Sequence, residues 1–147
     1  MQVWLIAATG EATEILSWRQ GVVRILRILP NPKTDDEHVD EFEAKRPMVA
    51  VCSEPDSTLP GPKTFCDVNF ISLKTGESIH SVGFKHSVCD VLANRRSVVI
   101  TLLEKIAVFD ARTLQNNITI TTCYASPGLN PNPIALGTRW LAYRYRI

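Results

Sequence analysis

The chain has 147 residues, of which 45% are apolar and 21% charged, and its formal net charge at pH 7 is +1. That length suffices for one domain with a core of its own, and the balance is the ordinary one of a soluble globular protein. It excludes a generally basic nucleic-acid binder, so no nucleic-acid partner is expected, and no apolar run approaches the about 18 residues that cross a bilayer.

Residues 3–7 read as a strand, 8–11 as a turn and 12–18 as a return strand, after which Gln20-Gly21 turns the chain into a strand over 22–29. The start has no positive charge before its short apolar run and Glu11 soon after it, which is unlike a secretory signal. Met1 precedes what already reads as the middle of a strand, so the chain is expected to begin inside a fold. Over 30–47 the periodicity is lost: Pro30, Pro32 and the acidic Asp35, Asp36, Glu37, Asp40, Glu41 and Glu43 make a polar insertion, with one short helical turn expected near 39–44. Residues 48–52 form a strand and 53–63, with Pro55, Pro60, Gly61 and Pro62, a second insertion. Both insertions read as solvated loops. The acidic residues 35–43 could instead contact a basic partner, which would make the chain a protein-only interaction module.

Residues 65–73 give the next strand, Lys74-Thr75-Gly76-Glu77 a turn, and 78–84 its return. The run VVITLLEKIAVFD over 98–110 then places two mostly β-branched apolar stretches on either side of Glu104-Lys105, the pattern of a hairpin buried on both faces rather than of one helix. Such a hairpin needs neighbouring sheets. Thr9-Gly10-Glu11 and Thr75-Gly76-Glu77 occupy the same place between two strands, and residues 106–122 give a third strand-turn-strand copy. Short strands recurring at roughly 40-residue spacing, once insertions are allowed for, mark β-propeller blades.

The fold class expected is therefore all-β: a partial β-propeller of four-stranded antiparallel blades, open rather than closed, in preference to a β-sandwich. One blade covers 22–84 and carries the insertions 30–47 and 53–63; a second covers 87–122. A half blade lies at 1–18, supplying outer strands, and another at 134–143, supplying inner ones. About three blades cannot close a ring that needs about four to eight, so exposed edges and aggregation are expected.

Candidate chemistry is sparse. Cys52, Cys66, Cys89 and Cys123 form no CxxC pair and read as buried free thiols, and His38, His80 and His86 have no ligand spacing with them, so no metal site is expected. No nucleophile-elbow glycines, phosphate-cradling glycine loop or convergent carboxylate pair appears, so neither catalytic nor cofactor-binding residues are expected. Asn117-Ile118-Thr119 matches a glycosylation sequon and reads as strand and turn. Arg95-Arg96, between two strands, could meet phosphate groups, since paired guanidiniums recognise them in a planar, bidentate way. His86 is expected to hydrogen-bond a turn aspartate and pin its blade. Asp110 is expected to hold the turn 111–114 through its own oxygens. Trp4, Trp18 and Trp140 are expected to pack in the core or between blades.

The runs KRPMVAVC, DVNFISLKTGESI, LEKIAVFDARTL and TTCYASPGLNPNPIALGTRWLAY, with the opening MQVWLIAATGEATEILSWRQGVVRILRILP, resemble the amino-terminal WD-repeat propeller of the breast-carcinoma-amplified sequence 3 family, also called Rudhira or the microtubule-associated cell migration factor. The most specific piece is CYASPGLNPNPIALGTRWLAY. That family is similar to the PROPPIN propellers, and the resemblance implies a cytoplasmic scaffold recruited to phosphoinositide membranes at forming autophagosomes, with a phagophore-assembly factor among its protein partners. It also implies roles in cytoskeletal organisation and cell migration. The PROPPIN lipid signature, two arginines preceded by an aromatic or leucine and followed by glycine, does not occur: Arg95-Arg96 stands between Asn94 and Ser97. Arg144 to Ile147 departs from the family pattern directly after Leu141-Ala142-Tyr143.

Overall fold

The structure, a computed structural model, describes residues 1–19, 21–35, 37, 39–54, 65–122 and 133–145. Expectations for His38, Cys123 and most of the 53–63 insertion lie outside them. Among the described residues the regular structure is strand apart from one 3-10 turn at Glu43–Lys45. β1 (Gln2–Ile6) and β2 (Ala12–Ser17) form a two-stranded sheet. β3 (Val23–Leu29), β4 (Met48–Ser53), β5 (Asp67–Ser72) and β6 (Ser78–Gly83) form a four-stranded one in that order. β7 (Asp90–Ala93), β8 (Ser97–Thr101), β9 (Lys105–Asp110) and β10 (Asn116–Thr121) form a second, and β11 (Ile134–Leu136) with β12 (Leu141–Tyr143) a final pair. All pairings are antiparallel between sequence neighbours, and the stack of sheets does not close. This is a partial β-propeller.

Alternation explains why β4 is apolar throughout. Met48, Ala50 and Cys52 face one way, with Val68 and Phe70 of β5, and meet Val91, Val98, Ile100, Ala107 and Phe109 of the next sheet. Val49 and Val51 face the other way, with Ile71 and Leu73, and meet Val3, Leu16 and Trp18. A sheet covered on both faces has no polar side to present, so the period-2 signal gives way to a continuous run.

The hairpin of β8 and β9 forms as expected, with Val98 opposite Phe109 and Ile100 opposite Ala107. Its reversal lies one residue earlier than Glu104-Lys105. Leu102 N–H donates to the Lys105 carbonyl at 2.8 Å, leaving Leu103 and Glu104 at the tip and Lys105 inside β9. Register decides this, because a one-residue slip would turn Ile106 and Ala107 over to opposite faces.

The turns between strands repeat in atomic detail. In the β5–β6 turn Gly76 N–H donates to the Ser72 carbonyl (2.8 Å) and Ser72 N–H to the Glu77 carbonyl (3.0 Å); in the β9–β10 turn Leu114 N–H donates to Asp110 (2.9 Å) and Asp110 N–H to Gln115 (3.0 Å). Gly76 has φ +72°, and Leu114 takes the same left-handed conformation at φ +53°.

The insertion after β3 is less solvated than its composition suggests. Its charged residues Asp40 and Arg46 are buried: Arg46 Nε donates to Asp40 Oδ2 at 3.0 Å and Nη2 to Asp40 Oδ1 at 3.2 Å. The same Nη2 also donates to the carbonyl of Ala111, in the next sheet's β9–β10 turn. The helical turn lies at Glu43–Lys45, toward the end of the stretch where it is expected, because Asp40 Oδ1 first accepts from Phe42 N–H at 3.1 Å and holds that segment in a non-helical turn. A second tie joins the four-stranded sheets: Arg27 on β3 donates from Nε to the Val91 carbonyl at 2.8 Å and from Nη2 to Asp90 Oδ1 at 3.2 Å.

Cys52, Cys66 and Cys89 are free thiols as expected, but only Cys52 is buried, Cys66 and Cys89 being half-buried directly before β5 and β7. Burial pushes the Cys52 thiol up to about 11, against a smaller opposing pull from Arg24, and raises that of Cys89 as well.

Candidate functional site

Arg95 and Arg96 sit in the tight β7–β8 turn, and Asn94 builds that turn. Asn94 N–H donates to the Ser97 carbonyl at 2.9 Å, while its Oδ1 accepts from both Arg96 N–H and Ser97 N–H at 2.8 Å. An Asx turn of this kind satisfies the backbone locally and leaves both arginine side chains exposed. The remaining polar group of Asn94, Nδ2, donates at 2.7 Å to the carbonyl of Gly137 in the β11–β12 turn. From the other side, Lys33 N–H, in the insertion after β3, donates to the Arg95 carbonyl at 3.3 Å.

Three segments far apart in sequence thus meet around an open cleft of about 770 Å³. Among the described residues its lining includes the cations Lys33, Arg95, Arg96 and Arg139 and no carboxylate. All four are exposed, so water and salt screen their mutual repulsion. A narrower groove of about 110 Å³ continues from it between Val99, Val108 and Trp140. Chemically, this is a concentration of positive charge with planar donors and an apolar flank. Among its described lining residues there is no nucleophile paired with a base.

The structure brings the two expected arginines together with Lys33, Arg139 and Asn94, which sequence reasoning did not single out. Arg139 had a signal, since it stands in a strand-to-strand turn equivalent to that of Arg95 and Arg96. Lys33 had none, because its position follows only from how the insertion folds back.

The other singled-out residues divide. Asp110 holds its turn as expected: its Oδ1 accepts from Arg112 N–H at 2.7 Å, and its Oδ2 from Arg112 Nη2 at 2.8 Å. The Arg112 guanidinium keeps the Asp110 carboxyl below the usual range, and the aspartate in turn raises Arg112. His86 does not do what was expected: it is exposed and makes no hydrogen bond to a turn aspartate among the described residues, and the carboxylate of the turn residue Asp110 accepts from Arg112 instead. Of the tryptophans only Trp18 packs against a core. Trp4, in a sheet of two strands that offers too little surface to cover it, is 51% exposed, and Trp140, 81% exposed, lies in the link before β12 rather than in a strand.

In the acidic stretch 35–43, Asp40 is taken up by Arg46, whereas Glu37, Glu41 and Glu43 are exposed. Among the described residues no group of three or more His, Cys, Asp or Glu side chains is gathered as for a metal ion, and no helix is long and apolar enough to cross a membrane.

Comparison with known proteins agrees with this architecture. The family model described as BCAS3, WD40 repeat, matches residues 1–146. The chain is 46% identical over 186 aligned residues to the breast carcinoma-amplified sequence 3 homolog of Drosophila melanogaster, covering 97% of the chain and 17% of that protein. It is 31% identical to autophagy-related protein 18f and 30% identical to autophagy-related protein 18h of Arabidopsis thaliana, in each case over 97% of the chain and 20% or 18% of the relative. The chain spans at most a fifth of the length of these curated relatives.

Proposed function

We propose, on the premise that this chain belongs to the BCAS3 WD40-repeat family, that it is a non-enzymatic propeller scaffold whose rim turns meet phosphate groups at a phosphoinositide-bearing membrane. The observation that carries this reading is the cleft around Arg95 and Arg96, where exposed cations gather and the described lining holds no carboxylate. Exposed guanidiniums pair with phosphate oxygens through two parallel N–H donors, which a lysine alone does not supply. Likeness to two proteins named for autophagy supports placing the scaffold in autophagosome formation, with a phagophore-assembly factor as a protein partner. A link to the cytoskeleton and cell migration, and a cytoplasmic location, belong to the same reading. So does the division into half blades at 1–18 and 134–143 around blades at 22–84 and 87–122.

Flotation of the 147-residue chain with phosphatidylcholine vesicles, with and without phosphatidylinositol 3-phosphate, tests the membrane part. Recovery should rise with the phosphoinositide and fall as salt screens the exposed charges. Equal recovery from both vesicles at physiological salt would remove it.

A further inference from the structure

A single phosphate leaves most of this cleft unfilled. Its volume of about 770 Å³ compares with the about 30 Å³ that one water occupies in the liquid, and it lies within the range of sites that enclose a whole small molecule. The cations also stand on different supports: Lys33 on the insertion after β3, Arg95 and Arg96 on the β7–β8 turn, and Arg139 on the β11–β12 turn. One guanidinium fork matches the oxygens of one phosphate, and forks carried on separate turns can each take a phosphate group of their own.

We infer that the cleft binds an anion carrying two or more phosphate groups, clamped between turns of three successive sheets, and that Asn94 is the positioning residue of the clamp. This rests on the reading that Arg95 and Arg96 meet phosphate. The hydrogen bonds of Asn94 are spent on geometry. Its oxygen fixes the turn that carries Arg95 and Arg96, and its amide fixes that turn against the one that carries Arg139. Two carbonyls that would otherwise oppose an anion, those of Arg95 and Gly137, are already accepting from Lys33 N–H and Asn94 Nδ2. The cations are therefore spaced before a ligand arrives, which lowers the ordering cost of binding. The ligand class is a polyphosphorylated small molecule, free or as the headgroup of a lipid.

Calorimetric titration of the 147-residue chain with inositol hexakisphosphate and with inorganic phosphate tests this. The hexakisphosphate should bind and inorganic phosphate at the same concentration should bind far more weakly. The exposed-residue variant R95Q/R139Q should lose about tenfold or more in affinity for the hexakisphosphate while melting at the same temperature without ligand. The variant N94S keeps an oxygen for the turn but cannot reach Gly137; it should lose affinity and also narrow the preference for the hexakisphosphate over inorganic phosphate, which a loss of fold stability alone would not do. Equal affinity for the two anions, or unchanged binding in R95Q/R139Q, overturns the inference.

Vesicles of phosphatidylcholine doped with phosphatidylinositol 3,5-bisphosphate separate the two sources. Recruitment that soluble hexakisphosphate competes away supports a lipid headgroup in the cleft. Tight hexakisphosphate binding without recruitment to any vesicle supports a free polyphosphate, and removes the membrane reading while leaving the clamp. Recruitment that persists in R95Q/R139Q does the opposite.

Discussion

Asp110 and the pair Asp40–Arg46 are both short-range carboxylate–guanidinium contacts, yet only the first was legible in the sequence. Asp110 ends an apolar strand and starts a turn, the place where a side-chain oxygen most often replaces a backbone acceptor. Arg46 and Asp40 lie within a polar insertion whose composition says surface, and only the fold shows them turned inward. The Asp110 contact has a pH signature. Its folded carboxyl sits below the about 3.9 of an unfolded aspartate, so folding favours the ionised form. That contribution is complete above about pH 4 and is lost as pH falls through the lower folded value, because protonation then no longer discriminates against the folded state. Asp110→Asn should cost about 1–2 kcal/mol at neutral pH and flatten the fall in stability below about pH 4. Urea midpoints of both proteins across that range measure it; parallel acid limbs would contradict the assignment.

At the scale of elements, the strand-turn-strand copy is what the sequence states most clearly, through TGE at residues 9–11 and 75–77. The third copy lacks that glycine, and Leu114 stands where Gly76 stands, in the same left-handed conformation. A leucine there sets a backbone cost of about 1–2 kcal/mol against the burial of its side chain in the main core, and emptying such a site costs about 2–5 kcal/mol. Leu114→Gly should therefore destabilise despite relieving the backbone, lowering the thermal midpoint. Gly76 has no such compensation: an added Cβ would stand 3.2 Å from Leu16 Cδ1 as well as at positive φ. The hairpin reversal differed by one residue because charge marks a turn only approximately, whereas which faces are buried fixes it.

Over the whole molecule, the all-β class and the stack of sheets followed from periodicity and repetition, but the cleft did not. Lys33, Arg95 and Arg139 have no common spacing, and nothing in linear sequence says that an insertion and two turns share one rim. The stack also ends on sheets of two strands rather than four, with Trp4 and Trp140 uncovered. Unpaired strand edges beside exposed aromatic surface recruit further strands. The isolated 147-residue chain should accordingly elute with light-scattering masses above its 16.4 kDa, increasingly so at higher concentration. A concentration-independent monomer would show that these edges are protected.

The reach of Arg46 to Ala111 has one more consequence. The loop that leaves β3 is tethered to the following sheet twice, at Lys33, whose N–H donates to the Arg95 carbonyl, and nearer its far end, where Arg46 reaches Ala111. Changing the length of that loop should therefore move Lys33 relative to Arg95 while leaving the sheets on either side in place.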